Sequence, residues 1–141
     1  MTETQATEAI YQRIADAWDE DDAAVTFENE AFEPVTDEPW IRVSRRSTTA
    51  RVASLGDNGL SERRGLVIAQ VFAPTDEGTA RALDLAHDFR RLFERRSIPA
   101  DVDPIEAVNF LVGEVRPQRE SDGWYQVNVD LPYFFHDTTT S

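Results

Sequence analysis

One apolar stretch constrains the fold of this 141-residue chain more than any other feature. From residue 65 to residue 73 every position except Gln70 is apolar. A strand without a polar face has to be covered on both sides, so this pattern predicts a central strand of a sheet. Pro74 is expected to stop the strand, because proline has no amide hydrogen to donate to a neighbouring strand.

Further strands are predicted on either side of this run in the sequence. Residues 40–45 and 48–54 favour two strands, and residues 108–115 favour a return strand that ends at Pro117. Residues 125–131 alternate between apolar and polar side chains, which is typical of a half-buried strand, and Pro132 is expected to close it. A turn is predicted at residues 56–59, and its loop is expected to continue to about Arg64. The segment 25–37 is predicted to be a short polar connection anchored by Phe27 and Phe32.

Two amphipathic helices complete the predicted elements. The first has apolar residues at every fourth position, at Ala6, Ile10, Ile14 and Trp18. Thr2 and Gln5 match a capping box at its start. The second helix follows Gly78, and its apolar face is formed by Ala82, Leu85, Ala86, Phe89 and Phe93.

The order of these elements predicts an α+β fold in which a mostly antiparallel sheet of four to five strands packs against two main helices. A length of 141 residues fits one domain with a single core. We therefore expect a single domain over residues 1–141, with flexible ends near 1–4 and 136–141.

Composition excludes several classes of protein. The net charge of −13 argues against a general nucleic-acid binder, whose affinity depends on Lys and Arg side chains that contact phosphates. There is no cysteine, so neither a disulfide scaffold nor a thiolate metal site is possible. No apolar run is long enough to cross a membrane, and residues 1–5 lack the pattern of a secretory signal, so we expect assembly in a cytoplasm.

All 14 basic residues are arginine. The absence of lysine has two explanations: GC-rich coding favours arginine codons, and an acidic, lysine-poor surface stays hydrated at high salt. The sequence leaves both open.

The residues that carry enzyme chemistry are sparse. Only His87 and His136 are histidines, and no nucleophile elbow, phosphate loop, dinucleotide motif or zinc-protease motif is present. The acidic run at residues 19–22 could bind a metal ion, but no ligand of another type lies beside it, and a solvated turn after the first helix explains it as well. We therefore predict no enzymatic activity, no cofactor and no metal site.

Positive charge is concentrated around one strand-loop-strand unit. Five of the 14 arginines lie there, at Arg45, Arg46, Arg51, Arg63 and Arg64. Such segregation in an acidic chain suits ion pairs between copies, although a solvated hairpin is an equally good explanation. Gly65 follows these residues, either where the strand approaches a neighbour closely or where it only relieves a tight loop exit. We take these five arginines and Gly65 as interface candidates.

Four segments, in order, resemble the tail terminator (tail completion) proteins of long-tailed phages and prophages. They are residues 27–34 (FENEAFEP) with 38–43 (EPWIRV); residues 55–56 (LG) and 63–72 (RRGLVIAQVF) with Pro74; Gly78 with the helix that ends near Phe93; and residues 123–129 (GWYQVNV) with 132–133 (PY). The second segment is the most specific of the four.

The resemblance implies a virion structural protein. In such a family a ring, usually a hexamer, caps the tail tube, stops its polymerisation and provides the docking surface for the head or neck. The implied partners are other copies of the chain, the tail tube protein and a head-completion or stopper protein, and the implied location is the junction between tail and neck. Genomic DNA would pass through the channel without sequence-specific binding.

Two alternatives remain at this point. The chain could be another neck or minor tail protein, such as a stopper or connector. It could also be a small acidic ligand-binding or enzymatic domain, which would require a deep pocket with convergent polar groups.

Overall fold

The computed structural model describes residues 1–28, 30–35, 37–53, 55, 59–118, 120 and 122–137. It is an α+β structure with two helices, as predicted. The helices are α1 (Glu3–Ala17) and α2 (Gly78–Phe93). The strands are β1 (Ala24–Phe27), β2 (Trp40–Val52), β3 (Ser61–Pro74), β4 (Ser97–Ile98), β5 (Val108–Phe110), β6 (Glu114–Pro117) and β7 (Trp124–Asp137).

Helix α1 begins where the sequence predicts it. The hydroxyl oxygen of Thr2 accepts from the amide of Gln5 at 3.1 Å, and the Gln5 side chain accepts from the amide of Thr2 at 2.9 Å. This reciprocal pair is the predicted capping box, which satisfies two amides that have no partner inside the helix. Ala6, Ile10 and Ile14 form its buried face, also as predicted.

The sheet is larger than predicted, and it is mixed. Its strands run in the order β1-β2-β3-β7-β5-β4, with β6 paired to β7 as well, so seven strands take part instead of four or five. The prediction of a mostly antiparallel sheet missed β1, which pairs with β2 in parallel, Ala24 opposite Trp40. A four-residue strand inside a polar segment has too short a pattern to be recognised by its alternation.

Three long strands, β2, β3 and β7, form the centre of the sheet, and all three differ from their predicted bounds. The strands predicted at residues 40–45 and 48–54 are one strand, β2, with an irregularity between Ser47 and Ala50. Strand β7 continues past Pro132, where it was expected to end. Pro132 lies where the neighbour of β7 changes from β6 to β5, and its carbonyl still accepts from the amide of Leu111 at 3.0 Å. Proline is tolerated there because the ladder on that side is interrupted.

The return strand predicted at residues 108–115 is also divided. Residues 108–110 form β5 and pair with the far half of β7, whereas β6 pairs with its near half. Between them the chain passes Gly113, where an added Cβ would lie only 2.7 Å from the side chain of Leu131. The two short strands therefore pair with different parts of β7: β5 with residues 133–134 and β6 with residues 127–130.

The helices cover one face of the sheet. The apolar run is the central strand β3, as predicted, and its Val67, Ala69 and Val71 are fully buried on the helical face. The residues on its opposite face are only half-buried, which differs from the expectation that both faces would be covered. Phe72 is shielded there by the ring of Trp40, which stacks on it at 4.2 Å.

The chain ends predicted to be flexible lie partly within described elements. The amino group of Met1 donates to the carbonyl of His136 at 3.2 Å, and β7 extends to Asp137. Residues 138–141 of that prediction lie outside the described residues.

Candidate assembly surface

The arginine-rich unit forms a hairpin that we call the arm, defined as residues 46–64, of which 46–53, 55 and 59–64 are described. Its strands pair through Ala50 opposite Arg63 and Val52 opposite Ser61. The loop was predicted to reach Arg64, but β3 already begins at Ser61. Residues 56–58 of the predicted turn lie outside the described residues. Arg63 and Arg64 are therefore strand residues whose direction is fixed by the sheet.

A buried carboxylate joins the two strands of the arm. Glu62 is 6% exposed and accepts from Arg51 on one oxygen, at 3.0 Å from Nε and 2.8 Å from Nη2. Its other oxygen accepts from Nε of Arg64 at 2.7 Å. These bonds, chiefly those from Arg51, hold the pKa of Glu62 below its usual 4.5. Glu62 stabilises the arm as a charged group shared by two guanidinium groups.

Two further arginines connect the arm and its base to the rest of the domain. Nε of Arg63 donates to Asp137 of β7 at 2.9 Å. Arg45 donates to Glu3 of α1 at 2.8 Å and to the hydroxyl of Tyr133 at 2.9 Å. Burial raises the pKa of Tyr133, so this hydroxyl is neutral when it accepts from Arg45.

Four of the five candidate arginines thus bind acidic or hydroxyl groups within their own chain. Arg46 differs from them: it is exposed, and no ion pair of its side chain occurs among the described residues. Arg51 keeps 69% of its side chain exposed despite its bonds to Glu62. Among the five candidates, Arg46 and the outer part of Arg51 are therefore the positive groups most available to another molecule.

Gly65 has a clear role inside the domain. It lies four residues into β3, opposite Tyr133, and an added Cβ would be 2.3 Å from the tyrosine hydroxyl oxygen. The aromatic ring of Tyr133 occupies the space that a side chain would need. This packing explains the glycine through the neighbouring strand of the same chain. A contact of Gly65 with another copy stays a prediction.

Apolar side chains accompany the charge on the arm. Val52 is 66% exposed and Leu55 is 91% exposed. Exposed apolar groups that lie together and are bordered by polar residues are typical of protein interaction sites. The arm therefore presents both features of a protein interface, an apolar centre and guanidinium groups around it.

A groove at the other end of β2 was missed by the sequence analysis. It lies between α1 and β1, has a volume of about 640 Å³, and we call it the α1–β1 groove. Its apolar lining comes from Tyr11, Ile14, Ala15, Trp18, Val25 and Phe27. The exposed carboxylates Glu8 and Glu20 border it. One sequence signal pointed here: residues 1–39 contain twelve acidic residues and a single basic one, Arg13.

The groups considered for catalysis lie apart from one another. His87 is on α2, and His136 is in β7, where its ring packs edge-on against Phe134. Within the described residues, no group of three or more His, Asp or Glu side chains is arranged to hold a metal ion. No helix in that part of the chain is long and apolar enough to cross a membrane.

Comparison with known proteins gives the family. Twenty-one chains of solved structures resemble this one; the first covers 100% of this chain and 99% of its own, with a TM-score of 0.72 and 19% identity. At that identity the similarity concerns the fold alone. No curated protein matches the sequence. The family model described as phage tail terminator protein matches residues 5–133, a span that includes the arm and the α1–β1 groove. The chain therefore belongs to the phage tail terminator family.

Proposed function

We propose that this protein closes the growing phage tail as a ring on the tail tube. Membership of the family makes it a structural component of the phage tail, and hence of the virion, that acts together with other tail or head proteins. The observation that carries the proposal is the family match over residues 5–133. The ring, usually a hexamer in such proteins, stops tube polymerisation because its upper face offers no further copy of the tube surface.

The same ring would dock a head-completion or stopper protein at the junction between tail and neck. A closed ring requires a heterologous interface, in which two different surfaces of one chain are complementary. The arm supports this requirement, because it carries exposed apolar groups and arginine in a chain with a net charge of −13. We propose the arm, with Arg45, Arg46, Arg51, Arg63, Arg64 and Gly65, as a contact with another subunit or with the tube.

Two further features belong to this function. Genomic DNA passes through the ring without sequence-specific binding, which fits a strongly acidic chain that repels phosphates. The protein works without catalysis, cofactor or metal, since capping depends on surface complementarity alone. It assembles in the host cytoplasm and remains at the tail-neck junction of the virion.

Deletion of the gene tests the proposal. We expect tails of uncontrolled length, or heads that fail to join tails, both visible by electron microscopy. Normal virions after deletion would refute it. Labelling the chain within purified virions separates a terminator from a stopper or connector, because a terminator contacts the last tube ring and a stopper lies on the head side.

A further inference from the structure

We propose that the arm of one copy docks into the α1–β1 groove of the next copy around the ring. This inference rests on the proposed ring and deepens it, since it assigns the two surfaces that meet.

The groove has the chemistry of a receiving site. Ile14 and Trp18 are buried in it, whereas Tyr11 and Phe27 are half-buried, with their ring centroids 4.4 Å apart. Apolar groups that are partly open to solvent gain free energy when another apolar surface covers them. The exposed carboxylates of Glu8 and Glu20 beside this lining favour a partner that carries positive charge.

The edge of the sheet adds a second means of recognition. Among the described strands β1 pairs with β2 alone, so it forms one edge of the sheet. An edge strand has backbone groups without a ladder partner and can accept an extended segment of another chain. The arm is such a segment, because its described residues form two paired extended strands.

The exposed groups of the arm complement this site. Leu55 and Val52 supply apolar area near the tip, and Arg51, four residues before Leu55, keeps 69% of its side chain exposed and supplies positive charge beside them. Two arms would repel each other through their arginines. Two α1–β1 grooves would repel each other as well, through Glu8 and Glu20. Charge therefore favours contact between unlike surfaces, which is the arrangement that closes a ring.

A single chain cannot bring its own arm to its own groove. β1 pairs with residues 40–43 of β2, and the arm is formed by the opposite end of the same strand. From residue 43 to residue 52 an extended strand covers roughly 30 Å. If the α1–β1 groove accepts an arm, that arm therefore comes from a second copy.

Disulfide cross-linking in purified tails tests this contact. The chain has no cysteine, so the double variant Leu55→Cys/Ala15→Cys contains only the two introduced thiols. Ala15 lines the groove and is exposed. Ala17→Cys, also exposed on α1 but outside the groove lining, replaces Ala15→Cys in the matched control. Thermal unfolding establishes that both double variants fold like the unmodified chain.

Under mild oxidation we expect Leu55→Cys/Ala15→Cys to give a ladder of covalent oligomers that ends at the closed ring, and the control to give at least tenfold less. Adding Glu8→Arg and Glu20→Arg should lower the cross-linked fraction roughly fivefold, because the positive charge of the arm then meets positive charge at the groove.

Two outcomes would overturn the inference while the tails stay terminated: equal yields for the two double variants, or capped tails of normal length without a ladder. Each of these leaves the capping function intact, because the tails are still terminated. Failure of the proposed function appears differently, as normal virions when the gene is deleted.

Discussion

The two halves of the β2–β3 strand pair have opposite surroundings. In the half nearest β1, Ile41, Val43, Ala69 and Val71 are fully buried under the helices. In the other half, all residues of β2 from position 46 onward are exposed, and the strands are held by arginine-carboxylate pairs. The chain therefore uses one pair of strands first as core and then as an exposed extension.

Because of this difference, we expect the buried half to determine the stability of the domain and the arm to contribute mainly to assembly. Burial of one large apolar side chain contributes about 1.5–3 kcal/mol, whereas an exposed ion pair contributes about 0–1 kcal/mol. Substitutions in the covered half should therefore unfold the domain, and substitutions in the arm should leave it folded.

The largest expected effect comes from the helix that covers the core. Phe89 is fully buried and contacts the rings of Trp18 and Phe93, at centroid distances of 5.6 and 5.8 Å. Phe89→Ala should lower the free energy of unfolding by about 3–5 kcal/mol, through lost burial and the remaining cavity. Urea denaturation measures this change. Arg91→Ala, on the exposed side of the same helix, serves as the control and should change stability by at most about 0.5 kcal/mol.

A smaller loss is expected where the two halves meet. Gly65→Ala places a methyl group against Tyr133 and should destabilise the domain by about 1–3 kcal/mol, because the ring has to move away from Arg45. A double-mutant cycle with Tyr133→Ala checks the cause. If the clash is responsible, the methyl group should have much less effect once the ring is gone. Additive effects in that cycle would contradict the explanation.

Inside the arm, Glu62→Gln should loosen the pairing of its two strands, because Glu62 joins Arg51 to Arg64. The pKa of Glu62 is held below 4.5, so its ion pairs are complete above pH 4.5 and are lost as the pH falls through the lowered value. We expect amide hydrogen exchange at residues 50–52 to accelerate at acidic pH in the unmodified chain. The Glu62→Gln variant should exchange faster at neutral pH and lack this part of the pH dependence. Identical exchange profiles for the two proteins would show that Glu62 does not hold the arm.

Elements with a repeating local pattern were predictable from the sequence, and elements defined by their pairing were not. The two helices, the capping box of Thr2 and Gln5, and the central position of β3 follow from repeating local patterns, and all three are confirmed. Strand β1 was missed, because its four residues are defined by their pairing with β2, and the α1–β1 groove was missed with it. The sequence showed that five of the 14 arginines lie close together along the chain. Its internal ion pairs depend on cross-strand register, and register distinguishes Arg46 from the other four arginines.

Arg46→Glu should have the smallest effect on the fold among these substitutions and a large effect on assembly. Its thermal unfolding should match that of the unmodified protein to within about 0.5 kcal/mol, since no ion pair of Arg46 occurs within the described chain. The decisive measurement is the distribution of tail lengths, by electron microscopy, in particles made with this variant. We expect tails of uncontrolled length or tails without heads. Particles with normal tails and joined heads would contradict this expectation.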